Sequence, residues 1–467
     1  MPAAPVAQCE ERSRAKESAH VRGSKIGRVD RDDEKVTAGP GRDPEGTARA
    51  LLRAAVEKVA DSRQPISDFR GIAFYDTQKD DFFTSLSEFD HAVTALATVP
   101  LLAERLGAEE RRRLALQLVY SLIERLNEPT YDDHEFDRIW SSFLEEIEDP
   151  NWTYRAVANL RNFTCDCDII ELEDGVSIQG RNFDRLAGLG FSSGVLKALS
   201  DDWHTGFGAS SFVLVAVAKI EKTPQNLVLS GDPGLLWSNA QRAIRALRLL
   251  APGDVTLSQM WVVRVARFNV GLGGISGIGF SIPSIGSPYA LTDEVVSSYG
   301  EMYGRLRTLA TTGYGNAPGN LDLALRAFMA TYDRWPPGSD ARLIDAITAL
   351  EAVLGSGTEI AFKLAFRVAS LLAATDDERG DLLETMKGYY DTRSALVHGG
   401  RLKQKHQERL EAVDNLRDLV RRVLVGVVVL ATSDGAEYDK QFFQARLDAA
   451  LVTPAERDAL RAAMRLG

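Results

Sequence analysis

The sequence of 467 residues predicts an α+β region followed by an all-α bundle of four helices. Three observations lead to this fold class. Apolar residues recur mostly at helical spacing through residues 46–148. Between residues 163 and 271, several segments instead alternate apolar and polar residues or are rich in β-branched residues, as β-strands are. From residue 341 to about 433 the helical spacing returns in four segments, whose short connections make neighbouring helices antiparallel.

The first 45 residues are predicted to form a disordered tail. They contain no Leu, Phe, Trp or Tyr, and charges of both signs alternate with Gly, Ala and Pro. Such a segment cannot bury enough apolar surface to offset the entropy lost on ordering. It also shows no apolar stretch of the kind found in signal peptides.

Residues 46–310 are assigned to an α+β domain, or to two such domains. The pair Asp174–Gly175 separates two alternating segments and predicts a hairpin turn. Asp232 and Pro233 predict the cap and the first turn of the helix LLWSNAQRAIRALRLL. Glycine, proline and asparagine then concentrate in residues 311–320, which we interpret as a linker.

Residues 321–433 are predicted to form the helical bundle. A short helix precedes four longer ones, which read ARLIDAITALEAVLG, TEIAFKLAFRVASLLAA, DDERGDLLETMKGYYDTRSALVH and QERLEAVDNLRDLVRRVLVGVVVLAT. Thr375 and Glu378 have the spacing of a capping box at the start of the third helix. Residues 434–467 are expected to add a helical extension.

Composition narrows the functional classes. The net charge of −11 gives no general affinity for nucleic acid or for an anionic membrane, so contact with nucleic acid would need a local basic patch. Three cysteines make no disulfide framework and fit a reducing compartment. The apolar run 423–432 is far shorter than a membrane span. We therefore expect a cytoplasmic protein without a membrane partner.

The third bundle helix carries an arginine and a histidine in unexpected places. Its predicted apolar stripe consists of Leu382, Leu383, Met386, Tyr390 and Val397. Arg393 falls on this stripe, and a buried guanidinium needs an anionic partner unless it faces a groove. Glu351 in the first bundle helix is a possible partner, although a surface position is the alternative for it. His398 lies in the last turn, before two glycines that end the helix.

The spacing of Arg393 and His398 also has a structural interpretation. A histidine at a helix C-terminus satisfies free carbonyls, and an arginine can extend to the surface. The same Arg-x(4–6)-His spacing occurs by chance at Arg14 with His20 and at Arg401 with His406. Only the pair Arg393 and His398 belongs to a helix with a strong apolar face; the second of the other two pairs is predicted to lie in a loop.

The segments RLIDAITALEAVLG, TEIAFKLAFRVASLLA and MKGYYDTRSALVHGG, in this order, resemble the HEPN domains, specifically the Apea-like HEPN group of bacterial defence proteins. The resemblance covers about residues 320–432. It implies a helical bundle that dimerises and, in active members, a ribonuclease that needs no metal. Arg393 and His398 then match the arginine–histidine pair of the family. Three polar neighbours are expected to orient them: Tyr390, Asp391 and Ser394. Many members have Asn, Asp or His where this chain has Ser394.

The residue types suit cleavage of RNA through its 2′-hydroxyl. Histidine titrates near neutral pH and can accept a proton, and the planar guanidinium of arginine matches phosphate oxygens. Lys363 and Arg367 are four residues apart, so they are expected to share a helix face, as a phosphate track or as a solvated basic edge. Residues 393–422, which include Arg401, hold eight Lys and Arg against four acidic residues. This local surplus favours RNA binding.

Three other signals are assigned structural roles. The glycine-rich segment 271–279 follows a strand, but no helix follows it, so it is predicted to be a loop and not a dinucleotide site. Cys165 and Cys167 are expected to point to one face of a strand, and zinc would need further ligands. His134 in the acidic stretch 132–135 is expected to belong to a helix cap. We therefore expect no metal ion and no cofactor.

The sequence thus leads to two functional hypotheses. The favoured one is a HEPN-type, metal-independent endoribonuclease that acts as a homodimer in phage defence by abortive infection, a setting implied by the resemblance alone. Its α+β domain would be a sensor or a restraint. The alternative is a non-catalytic HEPN module for dimerisation or nucleotide binding, joined to a ligand-sensing N-terminal domain.

Overall fold

The structure is a computed structural model. It describes residues 43–69, 77–191, 193–201, 211–221, 234–265, 276–278, 286–311, 319–334, 338–355, 359–433 and 440–466. Four predictions fall wholly or mostly outside the described residues. They concern the tail of residues 1–45, the cap at residues 232–233, the glycine-rich segment 271–279 and the linker 311–320.

The N-terminal part begins with a layer of helices. These are α1 (Pro44–Ser62), α2 (Thr77–Thr84), α3 (Ser87–Leu96), α4 (Pro100–Arg105), α5 (Ala108–Arg125) and α6 (Asp133–Glu148). The predicted cap at residues 132–135 is confirmed, because the carboxylate of Asp132 accepts the backbone N–H of His134 at 2.8 Å.

A seven-stranded antiparallel sheet follows the helices. The nine strands of the described residues are β1 (Asn151–Arg161), β2 (Phe163–Cys165), β3 (Ile169–Glu171), β4 (Val176–Gly180), β5 (Phe212–Glu221), β6 (Thr256–Leu257), β7 (Met260–Val265), β8 (Ser276–Ile278) and β9 (Tyr289–Leu291). The main sheet has the order β3-β4-β5-β1-β7-β8, with β6 also paired to β1, and β2 and β9 form a separate parallel pair. The central strand β1 was missed by the sequence analysis.

The hairpin predicted at Asp174–Gly175 is confirmed. It joins β3 to β4, and both turn residues have positive φ, at 58° and 69°. A Cβ at Gly175 would lie 2.7 Å from the carbonyl oxygen of Val217, so the turn has no room for a side chain there. One face of the sheet is covered by α7 (Phe183–Gly188) and α8 (Ser193–Asp201), and α9 (Gly234–Leu250) packs against β4 and β5.

The C-terminal part is helical. Its helices are α10 (Asp293–Thr311), α11 (Gly319–Asp333), α12 (Ser339–Leu354), α13 (Ile360–Leu372), α14 (Asp376–Val397), α15 (Gln404–Glu411), α16 (Val413–Ala431), α17 (Lys440–Val452) and α18 (Pro454–Ala463). The predicted order of an N-terminal region with helices and strands and a helical C-terminal region is therefore confirmed. Because α11 packs along α12 and α17 packs on α13, the helical region is larger than four helices.

One predicted helix proved to be two. The fourth bundle helix breaks at Ala412, whose φ of −95° and ψ of 21° leave the helical range. The carbonyl oxygen of Ala412 accepts the hydroxyl of Tyr389 at 2.9 Å, which ties the break to α14. The break lets α15 turn onto α12 and α14. The capping box of Thr375 and Glu378 is confirmed, with both of its reciprocal contacts present.

Ion pairs of two buried arginines join the two parts of the chain. Arg417 on α16 binds Asp254, which lies between α9 and β6, at 2.6 Å. Arg248 on α9 binds Asp333 of α11 through two hydrogen bonds of 3.0 and 2.6 Å. Both guanidinium groups lie over the ring of Tyr332, with the Arg417 carbon 4.3 Å and the Arg248 carbon 4.4 Å from the ring centroid. None of the helices in the described residues is both long and apolar enough to cross a membrane.

Candidate functional site at the end of α14

The end of α14 is set by a Schellman motif. The backbone N–H of Gly400 donates to the carbonyl of Ala395 at 2.8 Å, and that of Gly399 donates to the carbonyl of Leu396 at 3.4 Å. Gly399 has a φ of 66°, a left-handed conformation that glycine adopts without strain. The preceding residue, His398, caps the helix and has an exposed side chain.

Arg393 pairs with the predicted acidic partner. Its Nη2 lies 3.7 Å from Oε2 of Glu351 on α12, and the two side chains are 25% and 23% exposed. The guanidinium carbon lies 5.8 Å from the ring centroid of Tyr390. Burial raises the pKa of Tyr390, and the charge of Glu351 acts in the same direction. Nε of Arg393 is buried and has no hydrogen-bond partner among the described residues. The arginine is thus partly withdrawn from solvent.

Arg393 and His398 are not in contact within one chain. Five helical residues rotate the second side chain about 140° from the first. Arg393 faces α12 whereas His398 is exposed, and the described residues contain no hydrogen bond or ion pair between the two. A single copy of the chain therefore presents the pair on separate faces of α14.

The predicted apolar stripe of α14 is wrong in its last turns. Val397 is 50% exposed, whereas Met386, Tyr389 and Thr392 are buried. The buried face turns because α15 covers this side of α14, which its sequence pattern alone did not show. Of the supporting residues, Asp391 is exposed and Ser394 is partly buried, and the carbonyl of Ser394 accepts the backbone N–H of His398 at 3.1 Å.

The predicted phosphate track of Lys363 and Arg367 is wrong for Arg367. Its side chain is 0% exposed and donates to the carbonyl of Leu354 and to the carboxylate of Asp448. This position of α13 faces α12 and α17, because the buried face of the helix is wider than the spacing indicated. Lys363 is only partly buried. Arg367 is therefore a structural residue, whose bond to Asp448 holds α17 against α13.

A cluster of exposed cations follows His398. Arg401, Lys403 and Lys405 are all exposed, and none of them forms an ion pair with a described residue. Other basic side chains of the same region are paired, as Lys387 is with Glu384 at 2.8 Å. We call His398 and these three cations the basic corner. Its charge is free to attract an anion.

His406 was predicted to lie in a loop, but it lies on α15. Its side chain is 6% exposed, and Nδ1 lies 3.0 Å from the hydroxyl of Thr392 on α14. Burial lowers its pKa, and Lys405 and Arg409 act in the same direction. The sequence analysis placed this residue in a loop because it began the fourth helix at Gln407, whereas α15 begins at Gln404.

The two cysteines do not share a strand face, because β2 ends at Cys165 and Cys167 lies beyond it. The thiol of Cys167 donates to the carboxylate of Asp293 at 2.6 Å. This hydrogen bond to Asp293 raises the pKa of Cys167 to about 12. Within the described residues, no group of three or more His, Cys, Asp or Glu side chains is arranged to hold a metal ion.

Comparison of the chain with protein-family models, with curated proteins and with solved structures gives no match. The functional argument therefore rests on the residues of this chain and on their contacts. Among these, the end of α14 is the arrangement best suited to act on an anion, because it combines an exposed histidine, a partly buried arginine and cations that pair with no described acid.

Proposed function

We propose that the protein is a HEPN-type endoribonuclease that cleaves RNA without a metal ion, with His398 and Arg393 as its catalytic residues. The observation that carries the proposal is the basic corner. An exposed histidine there is followed, after two glycines, by three cations that form no ion pair with a described residue, in a chain whose net charge is −11. A polyanion would bind at such a local surplus of positive charge.

The proposed reaction is attack by a ribose 2′-hydroxyl on the adjacent phosphate. A general base takes the hydroxyl proton, the oxygen bonds to phosphorus, and the 5′-oxygen of the next nucleotide leaves with a proton from a general acid. The products are a 2′,3′-cyclic phosphate and a 5′-hydroxyl. The imidazole of His398 suits the proton transfer, and the guanidinium of Arg393 suits the charge that develops on phosphate.

A homodimer is part of the proposal. Because Arg393 and His398 face different sides of α14 in one chain, a two-fold dimer through the helical region would bring two such helix ends into one cleft. The α+β region would then act as sensor or restraint. Phage defence by abortive infection is the setting that the resemblance to the Apea-like HEPN group implies.

A second function is favoured by one contact. Glu351 and Arg393 form an ion pair that joins α12 to α14, with about a quarter of each side chain exposed. Such an ion pair is expected in a non-catalytic module for dimerisation or nucleotide binding, since the arginine would stabilise helix packing and would not take part in catalysis. In that case the N-terminal region would carry the ligand-sensing function.

An RNA cleavage assay with matched variants separates the two functions. Purified wild type, His398→Ala and His91→Ala are incubated with total cellular RNA in EDTA, and the new RNA ends are sequenced. His91 is the control because it is an exposed histidine on α3, in the N-terminal part. The endoribonuclease proposal expects cleavage with cyclic phosphate ends by the wild type and by the control alone. Equal cleavage by all three would remove His398 from the reaction.

A further inference from the structure

A second histidine lies near the basic corner and is held in a defined orientation. His406 lies in the first turn of α15, which packs against α12, α14 and α16. Its side chain is buried. The contact that fixes the ring is the one between Nδ1 and the hydroxyl of Thr392, at 3.0 Å.

The hydrogen bonds around Thr392 assign the tautomer of His406. The hydroxyl of Thr392 has one proton, which it donates to the carbonyl of Gly388 at 2.9 Å. With the hydroxyl proton directed at Gly388, the oxygen of Thr392 accepts from His406, and Nδ1 is the nitrogen assigned the ring proton. Nε2 is left with a lone pair, and it has no hydrogen-bond partner among the described residues. The ring is oriented as a proton acceptor.

The charges around His406 keep the imidazole neutral. Burial lowers its pKa, and three cations on α15 and its cap act in the same direction: Lys405, Arg409 and Lys403. Asp391 on α14 is exposed and opposes them. A neutral imidazole at neutral pH is the form that accepts a proton.

His398 and His406 are eight residues apart, at the end of α14 and in the first turn of α15. Thr392, which holds His406, precedes His398 by six residues, or about 9 Å along the helix axis. The cations of the basic corner lie on the chain between the two histidines. The guanidinium of Arg409, one turn after His406, lies where a Cβ at Gly388 would be. Nη1 of Arg409 is buried and donates to no described acceptor.

We propose that His406 is a second proton-transferring residue of this site and accepts the proton of the ribose 2′-hydroxyl through Nε2. His398 then donates a proton to the departing 5′-oxygen. After the products leave, His406 gives its proton to water and His398 takes a proton from water, so both return to their starting states. This inference rests on the proposed function. It differs from a single arginine–histidine pair, since one chain would hold both the base and the acid.

The tautomer is tested by nitrogen NMR on protein labelled at its six histidines. The wild type at about pH 7 should show one covered histidine with a protonated Nδ1 and an unprotonated Nε2, which His406→Asn removes from the spectrum. Thr392→Val should shift both nitrogens of that residue, because the acceptor for Nδ1 is lost. A protonated Nε2 in the wild type would overturn the inference.

The role in catalysis is tested by RNA cleavage as a function of pH. His406→Asn keeps a side-chain N–H close to the position of Nδ1 and so preserves the contact with Thr392, but it has no base. We expect about a 100-fold or larger loss of kcat, as for removal of a general base. The acidic limb of kcat/KM should disappear as well. His91→Asn, on an exposed helix position, should leave both unchanged.

A purely structural role would have a different result. His406→Asn would then lower the thermal midpoint without removing the acidic limb, and Thr392→Val would leave the limb in place. Wild-type cleavage with an unchanged His406→Asn profile would overturn this inference alone. Absence of cleavage by the wild type would overturn the proposed function, and the inference with it.

Discussion

Replacement of Arg417 by methionine should destabilise the protein by about 3–5 kcal/mol, the cost of breaking a buried ion pair. Arg417 and Asp254 are 2.6 Å apart, and their side chains are only 8% and 5% exposed. Asp254 also accepts the backbone N–H of Ser287 at 3.1 Å, so its carboxylate stays in place after the substitution. Methionine fills much of the volume of the arginine but leaves the carboxylate without its guanidinium.

An exposed ion pair provides the matched control. Lys387 and Glu384 on α14 are 2.8 Å apart, with side chains that are 41% and 74% exposed. Solvent screens such a pair, so Lys387→Met should cost only about 0–1 kcal/mol. Both substitutions remove one positive charge and introduce the same side chain. The difference between them reports the burial of the Arg417–Asp254 pair together with the contacts of Arg417 to Asp414 and Tyr332.

Urea unfolding followed by circular dichroism measures both variants beside the wild type. We expect a clearly lower midpoint for Arg417→Met and a nearly unchanged midpoint for Lys387→Met. Equal, small shifts in the two variants would refute the claim that the Arg417–Asp254 pair fastens α16 to the α+β region. A double variant with Asp254→Asn should recover part of the loss, because the unpaired buried charge is then removed.

Three further predictions concern a helix cap, a thiol and a histidine. Thr375→Ala should cost about 1 kcal/mol in urea unfolding, because the capping contact with Glu378 is lost. Iodoacetamide should alkylate Cys167 slowly at about pH 8, since Asp293 raises the pKa of Cys167 to about 12 and keeps the thiol protonated; Asp293→Asn should accelerate labelling, measured by peptide mass spectrometry. Because the pKa of His406 is lowered in the folded state, the unfolded chain binds that proton more readily, and stability should fall as pH drops below about 6.5. His406→Asn should lose this component, as urea unfolding at about pH 7.5 and about pH 5.5 would show.

Local signals correctly predicted one helix cap and one hairpin turn. The capping box of Thr375 and Glu378 and the hairpin at Asp174–Gly175 depend on residues close in sequence, and both are present. Strand β1 was missed for a different reason. Its first five residues alternate between partly buried and buried, but residues 156–161 are buried continuously because helices cover both faces of the sheet, so the alternation does not extend along the strand.

Of the contacts between helices at the site, the sequence analysis predicted one. Glu351 was a predicted partner of Arg393, and the ion pair is present. The burial of Arg367 depends on where α17 packs, and the contact of His406 depends on where the fourth helix breaks. Both depend on packing between helices, which the spacing of residues within one helix does not predict.

The most direct test of the account is cleavage of a defined RNA oligonucleotide that contains a mapped cut site. A matched oligonucleotide carries a 2′-O-methyl group on the nucleotide whose hydroxyl would attack. In EDTA, the account predicts that the wild type cleaves only the unmodified RNA and leaves a 2′,3′-cyclic phosphate, and that His398→Ala cleaves neither. Cleavage of the methylated RNA, or equal cleavage by His398→Ala, would contradict 2′-hydroxyl attack at the end of α14.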